Sequence, residues 1–206
     1  MNTNLIEIQV ITIGEEDRMK SKNKAIYKWF KKNERFFSTE MNGYNYMPID
    51  SYLFTLFFIN RNGKVMDLGC GNGILLKFLM TFSSHSLIPF GVDLNKKAIR
   101  QAKEVLLPRY KDNFTVDNVK DYDFRNGPFD FIIANPFYSR PNMRNFTKKC
   151  LKNLNDDGRL IFRIHNDVLK RYKISSLKEI RDFKFLGMKT FKFYDLEIAV
   201  LDKKSL

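Results

Sequence analysis

Cysteine is scarce in this chain. Cys70 and Cys150 are the whole supply, too few for a disulfide framework or a cysteine metal site. Long apolar runs are missing as well. The longest, Tyr52 to Ile59, falls far short of the roughly 20 residues of a membrane span. The N-terminus lacks the basic-then-apolar order of a signal peptide, because Glu7 and the run Glu15-Glu16-Asp17 interrupt it. There are no repeats and no low-complexity tracts. These absences lead us to expect a soluble, reduced, cytoplasmic protein without membrane contact.

Acids are the last shortage: 23 Asp and Glu against 36 Lys and Arg leave a net charge of +13. Such an excess concentrates a polyanion such as RNA or DNA around the surface. A codon usage rich in Lys, Asn, Ile and Phe gives the same excess with no polyanion partner, and composition leaves both open. What the chain does hold is core material, with 20 Phe among 206 residues. That suits one domain with a small appendage.

The chain is organised around Lys64-Val65-Met66-Asp67-Leu68-Gly69-Cys70-Gly71-Asn72-Gly73. An apolar run ends in an acid, and three glycines follow at alternate positions before a helical pattern opens at Ile74. Glycine reaches backbone conformations closed to other residues and lets a ligand approach the main chain. A strand, a glycine turn and a helix start together make a nucleotide-sized pocket at the carboxyl edge of a parallel sheet.

Around it, the pattern predicts alternating strands and helices. Strands are expected at Ser86–Asp93, Phe114–Asp117, Phe129–Ala134 and Gly158–His165. Helices are expected at Ile74–Phe82, Asn95–Leu106, Asn142–Leu154 and Ser175–Asp182. Met188–Tyr194 and Leu196–Leu201, separated by Asp195 alone, must pair as an antiparallel hairpin, since parallel strands need a long crossover. The expected fold is α/β: a Rossmann-like, seven-stranded, mostly parallel sheet with helices on both faces and a C-terminal hairpin. Residues 1–63 read as a basic N-terminal helical appendage and 64–206 as the main domain. Within the appendage Leu5–Ile13 reads as a strand or arm and Pro48–Ile59 as a helix. Arg18–Arg35 reads as a basic amphipathic helix whose apolar stripe, Ala25, Ile26, Trp29, Phe30, Phe36 and Phe37, docks on the core. Its lysine face is either solvated or a polyanion-binding face.

A dinucleotide loop has the spacing G-x-G-x-x-G and holds a pyrophosphate. Here Gly69, Gly71 and Gly73 give G-x-G-x-G directly behind Asp67. An acid there repels pyrophosphate and attracts an ammonium group. Asp67 to Gly73 resembles the first motif of class I S-adenosylmethionine-dependent methyltransferases, and the resemblance extends to the terminal hairpin. It implies S-adenosyl-L-methionine as cofactor and S-adenosyl-L-homocysteine as product. Asp67 would then lie near the methionine end, with Gly69, Gly71 and Gly73 packing the cofactor closely. Asp93, twenty residues past Gly73, would accept from the ribose hydroxyls, and Leu94 would pack on the adenine. Asp117 and the backbone of Asn118 would serve the adenine edge.

Asn135-Pro136-Phe137-Tyr138 resembles the Asn-Pro-Pro-Tyr motif of methyltransferases acting on planar amino groups, in nucleic-acid bases or in a protein glutamine. The amino lone pair is delocalised, so the nitrogen is a poor nucleophile. The resemblance implies that the Asn135 side chain and the Pro136 carbonyl accept its N–H bonds and aim it, and that Asn135 also touches the cofactor. Tyr138 would stack on the substrate. No metal is implied, because the sulfonium already activates the methyl group. Phe137 stands where the family has a second proline, and either adds stacking surface or signals another substrate. Arg140 and Arg144 are candidates to hold substrate phosphates or a small acidic substrate. His165, closing the fifth strand, reads as a structural residue. The expected partner is nucleic acid, RNA before DNA; the other readings are a protein-glutamine or metabolite methyltransferase, and a nucleic-acid-binding module without catalysis.

Overall fold

The computed structural model describes residues 24–40, 49–134, 140–165, 188–193 and 196–203. The expected strand Leu5–Ile13 and helix Ser175–Asp182 lie outside them. In chain order the elements are α1 (Lys24–Lys32), α2 (Glu34–Glu40), α3 (Ile49–Phe57), β1 (Gly63–Leu68), α4 (Ile74–Phe82) and β2 (Leu87–Asp93). Then come α5 (Lys96–Gln101), β3 (Phe114–Val116), β4 (Phe129–Ala134), α6 (Arg140–Lys152), β5 (Leu154–His165), β6 (Lys189–Phe193) and β7 (Leu196–Asp202).

The seven strands form one sheet in the order β3-β2-β1-β4-β5-β7-β6. β1 is parallel to β2 and to β4, β2 to β3, and β4 to β5. β7 is antiparallel to β5 and to β6, so the expected fold and hairpin are both met. Successive strand side chains point to opposite faces, and two apolar layers result. On one face Val65, Phe131, Ile133 and Ile161 pack with residues of α1 to α5. On the other, Met66, Leu68, Ile132 and Phe162 pack with Phe146, Cys150 and Leu151 of α6.

The helices before β1 share that first layer. Phe30, Phe36, Phe37 and Tyr52 sit in the same buried cluster as Phe78 of α4 and the sheet. Trp29 meets the rings of Phe30, Phe78 and Phe82 edge-on at 5.2, 5.4 and 5.9 Å.

Three elements depart from the sequence pattern. The basic helix breaks at Asn33, whose side chain donates back to the Trp29 carbonyl at 2.8 Å, the competition that makes Asn a poor interior residue. The chain after Asn95 is α-helical only to Gln101, and Ala102–Leu106 widens into a π-turn in which the Leu107 N–H reaches the Ala102 carbonyl at 2.8 Å. β5 begins at Leu154, earlier than Gly158: Phe129 pairs with Leu154 and Phe131 with Arg159. The residues between, Asn155-Asp156-Asp157-Gly158, are the irregularity.

Candidate active site

Parallel register brings the strand ends to one edge. Leu68 of β1 pairs with Val92 of β2 and with Ala134 of β4, and Asp93 pairs with Val116 of β3. The chain reverses its winding between β1 and β4, where open α/β sheets leave a crevice at the carboxyl edge. Asp67, Asp93 and Asp117 all reach that edge.

The loop from Gly69 to Gly73 is held to the neighbouring strand. The N–H groups of Gly69 and Cys70 both donate to the Val92 carbonyl, at 2.9 and 3.1 Å. Gly69, Gly71 and Gly73 have φ of +85°, +54° and +75°, the left-handed region that favours glycine. A Cβ added at Gly69 would meet nothing within 4 Å, whereas at Gly73 it would press on Phe114 and Leu107 at 3.2 and 3.3 Å. Gly69 therefore leaves room for a ligand over the main chain, and Gly73 leaves room for packing beneath it.

Asp93 does two jobs in this structure. Its Oδ2 accepts from the Gly71 N–H and its Oδ1 from the Asn95 N–H, both at 2.8 Å. Asn95 in turn caps α5, accepting from the N–H groups of Lys97 and Ala98 at 3.0 and 3.1 Å. Leu94, beside this carboxylate, is 68% exposed, an apolar side chain facing outwards. Asp67, the residue before the last of β1, is buried to 3% exposure. Asp117 lies one residue past β3, and its N–H donates to the Asp93 carbonyl at 3.2 Å. The Asn118 N–H donates to Asp117 Oδ1 at 2.7 Å, so in this conformation that N–H is turned inward and not towards an adenine.

Eight of the nine residues expected to hold the cofactor lie at or just past the ends of β1, β2 and β3; the ninth, Asn135, lies outside the described residues. Open space over Gly69, an apolar side chain at Leu94 and carboxylates at both ends suit a nucleoside carrying a cationic amino-acid tail. The acceptor residues Asn135, Pro136, Phe137 and Tyr138 lie outside the described residues, directly after Ala134. Arg140 and Arg144 fall in α6, which follows them. His165 is the last residue of β5, opposite Leu196. Among the described residues no group of three or more His, Cys, Asp and Glu side chains is placed to hold a metal. No helix among them is long and apolar enough to cross a membrane.

Two residues were missed by sequence reasoning. Asn72, wholly buried in the glycine loop, donates from Nδ2 to the Phe36 carbonyl and to Gln101 Oε1, both at 2.8 Å. Its Oδ1 accepts from the Ile74 N–H at 3.2 Å. It ties α2, the loop and the end of α5 together, and the signal was the one polar side chain between two glycines. Arg163 is buried on β5, stacked 5.6 Å from the Tyr52 ring centroid and donating to the Ser51 hydroxyl. Its position one residue after Phe162, the partner of Ala134, puts it beside the acceptor strand.

Comparison with known proteins settles the family. A model of the methyltransferase domain matches residues 41–197. The chain belongs to the methyltransferase domain family. The expectation of an S-adenosylmethionine-dependent methyltransferase, made from Asp67 to Gly73, agrees with that membership. Ribosomal RNA small subunit methyltransferase C of Photobacterium profundum is 33% identical over 118 residues, covering 52% of this chain and 33% of that protein. The matched part thus spans about a third of the relative's length. Among solved structures, the PH0226 protein of Pyrococcus horikoshii superposes with a TM-score of 0.57 at 17% identity, over 73% of this chain and 86% of that one. A methyltransferase of Geobacter sulfurreducens in complex with S-adenosyl-L-homocysteine gives a TM-score of 0.53 at 17% identity, over 77% and 72%. These two likenesses concern the fold.

Proposed function

We propose that this methyltransferase-family chain moves a methyl group from S-adenosyl-L-methionine to a planar amino nitrogen of an RNA base. The observation that carries the reading is the meeting, at one sheet edge, of the glycine loop with its carboxylates and the strand that runs into Asn135-Pro136-Phe137-Tyr138. The bound cofactor supplies a methyl group already activated on a sulfonium. The chain's own residues supply position. Asp93 and Leu94 hold the nucleoside end, Asp117 and Asn118 flank the adenine, and Asp67 with the glycine backbone holds the amino-acid end.

On the acceptor side, Asn135 and the Pro136 carbonyl accept the two amino N–H bonds, and Pro136 stiffens that carbonyl through its fixed φ. Fixing the nitrogen in line with the methyl group removes the entropy of approach. The same two acceptors strengthen their hydrogen bonds as the nitrogen gains positive charge. Tyr138 and Phe137 stack on the base, and Arg140 and Arg144 hold its phosphates. The small-subunit ribosomal RNA named for the curated relative, together with the net charge of +13, favours RNA over DNA, a protein glutamine or a small metabolite.

The test incubates the full chain with isotopically labelled S-adenosyl-L-methionine and, in separate arms, total RNA, DNA, protein and a metabolite extract. Label should enter RNA and appear, after digestion to nucleosides, on an exocyclic amino nitrogen. Label in protein or metabolites and none in RNA would refute the RNA reading. Label on ribose or on a ring carbon would refute the amino acceptor.

A further inference from the structure

We propose that the outer side of α1 is the surface on which the substrate RNA backbone docks, with Tyr27 as a stacking platform within a lysine track. The choice of RNA rests on the function proposed above; the surface itself is argued from the structure. α1 reads KAIYKWFKK and contains four lysines and no acid. At about 100° per residue, Lys24, Tyr27, Lys28 and Lys31 fall within roughly a third of the helix circumference. Trp29 and Phe30 point the other way, into the aromatic layer. All three of these lysines are exposed, and Tyr27 keeps 53% of its surface in solvent. An apolar ring left outside, among cations, suits a partner with both phosphates and flat bases.

The face is poorly neutralised. Glu34 makes a 3.7 Å contact with Lys31, an exposed pair that offsets little. At the inner border Lys32 faces Lys77 of α4, whose ammonium is held below the ordinary lysine range by burial and then by the Lys32 charge. Like charges crowded together cost stability, and a bound polyanion relieves that cost.

α1 and α2 together border α4, the helix that starts directly after the glycine loop. Trp29 lies against Phe82 at the far end of α4, while Phe36, on α2, is hydrogen-bonded through Asn72 to the glycine loop at the near end. From Lys24 to Lys31 the helix rises about 10 Å, long enough to meet successive phosphates of a strand lying along it. The methyltransferase-domain match begins at residue 41, after α1 and α2. The matched region carries the transfer chemistry, and these two helices add a binding face to it.

Binding of a short single-stranded RNA of mixed sequence, followed by fluorescence anisotropy across a salt series, tests the surface directly. The triple variant Lys24→Gln, Lys28→Gln, Lys31→Gln should bind at least about tenfold more weakly. Its log-affinity slope against log salt should flatten by about 2, from three lost contacts of about 0.7 each. Tyr27→Ala should weaken binding about tenfold with the slope unchanged. Calorimetric affinity for S-adenosyl-L-homocysteine should stay at the wild-type value in both. An unchanged slope in the triple variant overturns the proposal. So does an equal loss from Lys148→Gln with Lys152→Gln on the opposite face, or polyglutamate binding as tightly as RNA. RNA binding through α1 without methyl transfer leaves the surface standing and sinks the proposed reaction. RNA methylation with an unchanged KM in the triple variant does the reverse.

Discussion

The strands on either side of β1 deliver the chain to opposite faces of the sheet. β1 and β2 lead into α4 and α5, which join α1, α2 and α3 in the first apolar layer. β4 leads through Asn135 to Tyr138 into α6, which packs in the second. The proposed cofactor residues are therefore followed by helices on one face, and the proposed acceptor residues by a helix on the other. The strands that carry them, β1 and β4, adjoin where the winding reverses. Two mountings with separate cores imply that donor binding and acceptor positioning can be damaged independently.

The strongest test of that separation is Asn135→Ala. Methyl transfer should fall by about 100-fold or more, the scale of losing one aimed electrostatic contact, while calorimetric cofactor affinity stays within about twofold. Retained transfer would refute Asn135 as the acceptor clamp. Asp93→Ala acts on the other side. Loss of charged hydrogen bonds to a ribose, about 3 kcal/mol in all, should weaken cofactor binding roughly 100-fold and leave RNA anisotropy unchanged. Cofactor affinity at the wild-type value would sink the assignment of Asp93.

Gly91→Ala probes the layer beneath the pocket. The new Cβ would lie 2.6 Å from Cys70 Sγ and 2.8 Å from the Phe114 ring, and overpacking of that kind costs about 3 kcal/mol at the upper end of its usual range. Urea denaturation should show the loss, with cofactor affinity reduced because Cys70 is part of the glycine loop. Asn72→Ala should cost about 2 kcal/mol by leaving the Phe36 carbonyl without its donor. It should also weaken cofactor binding, which an Asn33→Ala change at the helix break should not do, because the Asn33 side chain bonds the Trp29 carbonyl and not the loop. Equal cofactor affinity in the two variants would remove Asn72 from the pocket's support.

How far the sequence could be read tracks how local the physics is. Glycine conformations and strand-end acids are local, so Asp67, Gly69, Gly71, Gly73 and Asp93 were found where the structure places them. The cap at Asn95 and the terminal hairpin were legible for the same reason. Asn72 was not, because its two acceptors lie 36 and 29 residues away in sequence. Arg163 was hidden likewise, since its partners Ser51 and Tyr52 stand before β1. The π-turn after Gln101 and the irregular start of β5 depend on packing between elements, which periodicity does not record. Reading residues 1–63 as an appendage followed charge composition. The apolar stripe read in Arg18–Arg35 was expected to dock on the core, and Phe30, Phe36 and Phe37 do so; that Tyr52 joins them there was not legible.

The carboxylate of Asp93 can be counted in lone pairs. An ionised carboxylate offers about four acceptor positions, and this one uses two internally, for the Gly71 and Asn95 N–H groups. Two remain, equal to the number of hydroxyl donors on a ribose. With the proposed cofactor bound, the group that fixes the loop would also gauge the sugar. A 2′-deoxy analogue of the cofactor would leave one lone pair unmatched, and the protein should bind it measurably less well than the parent.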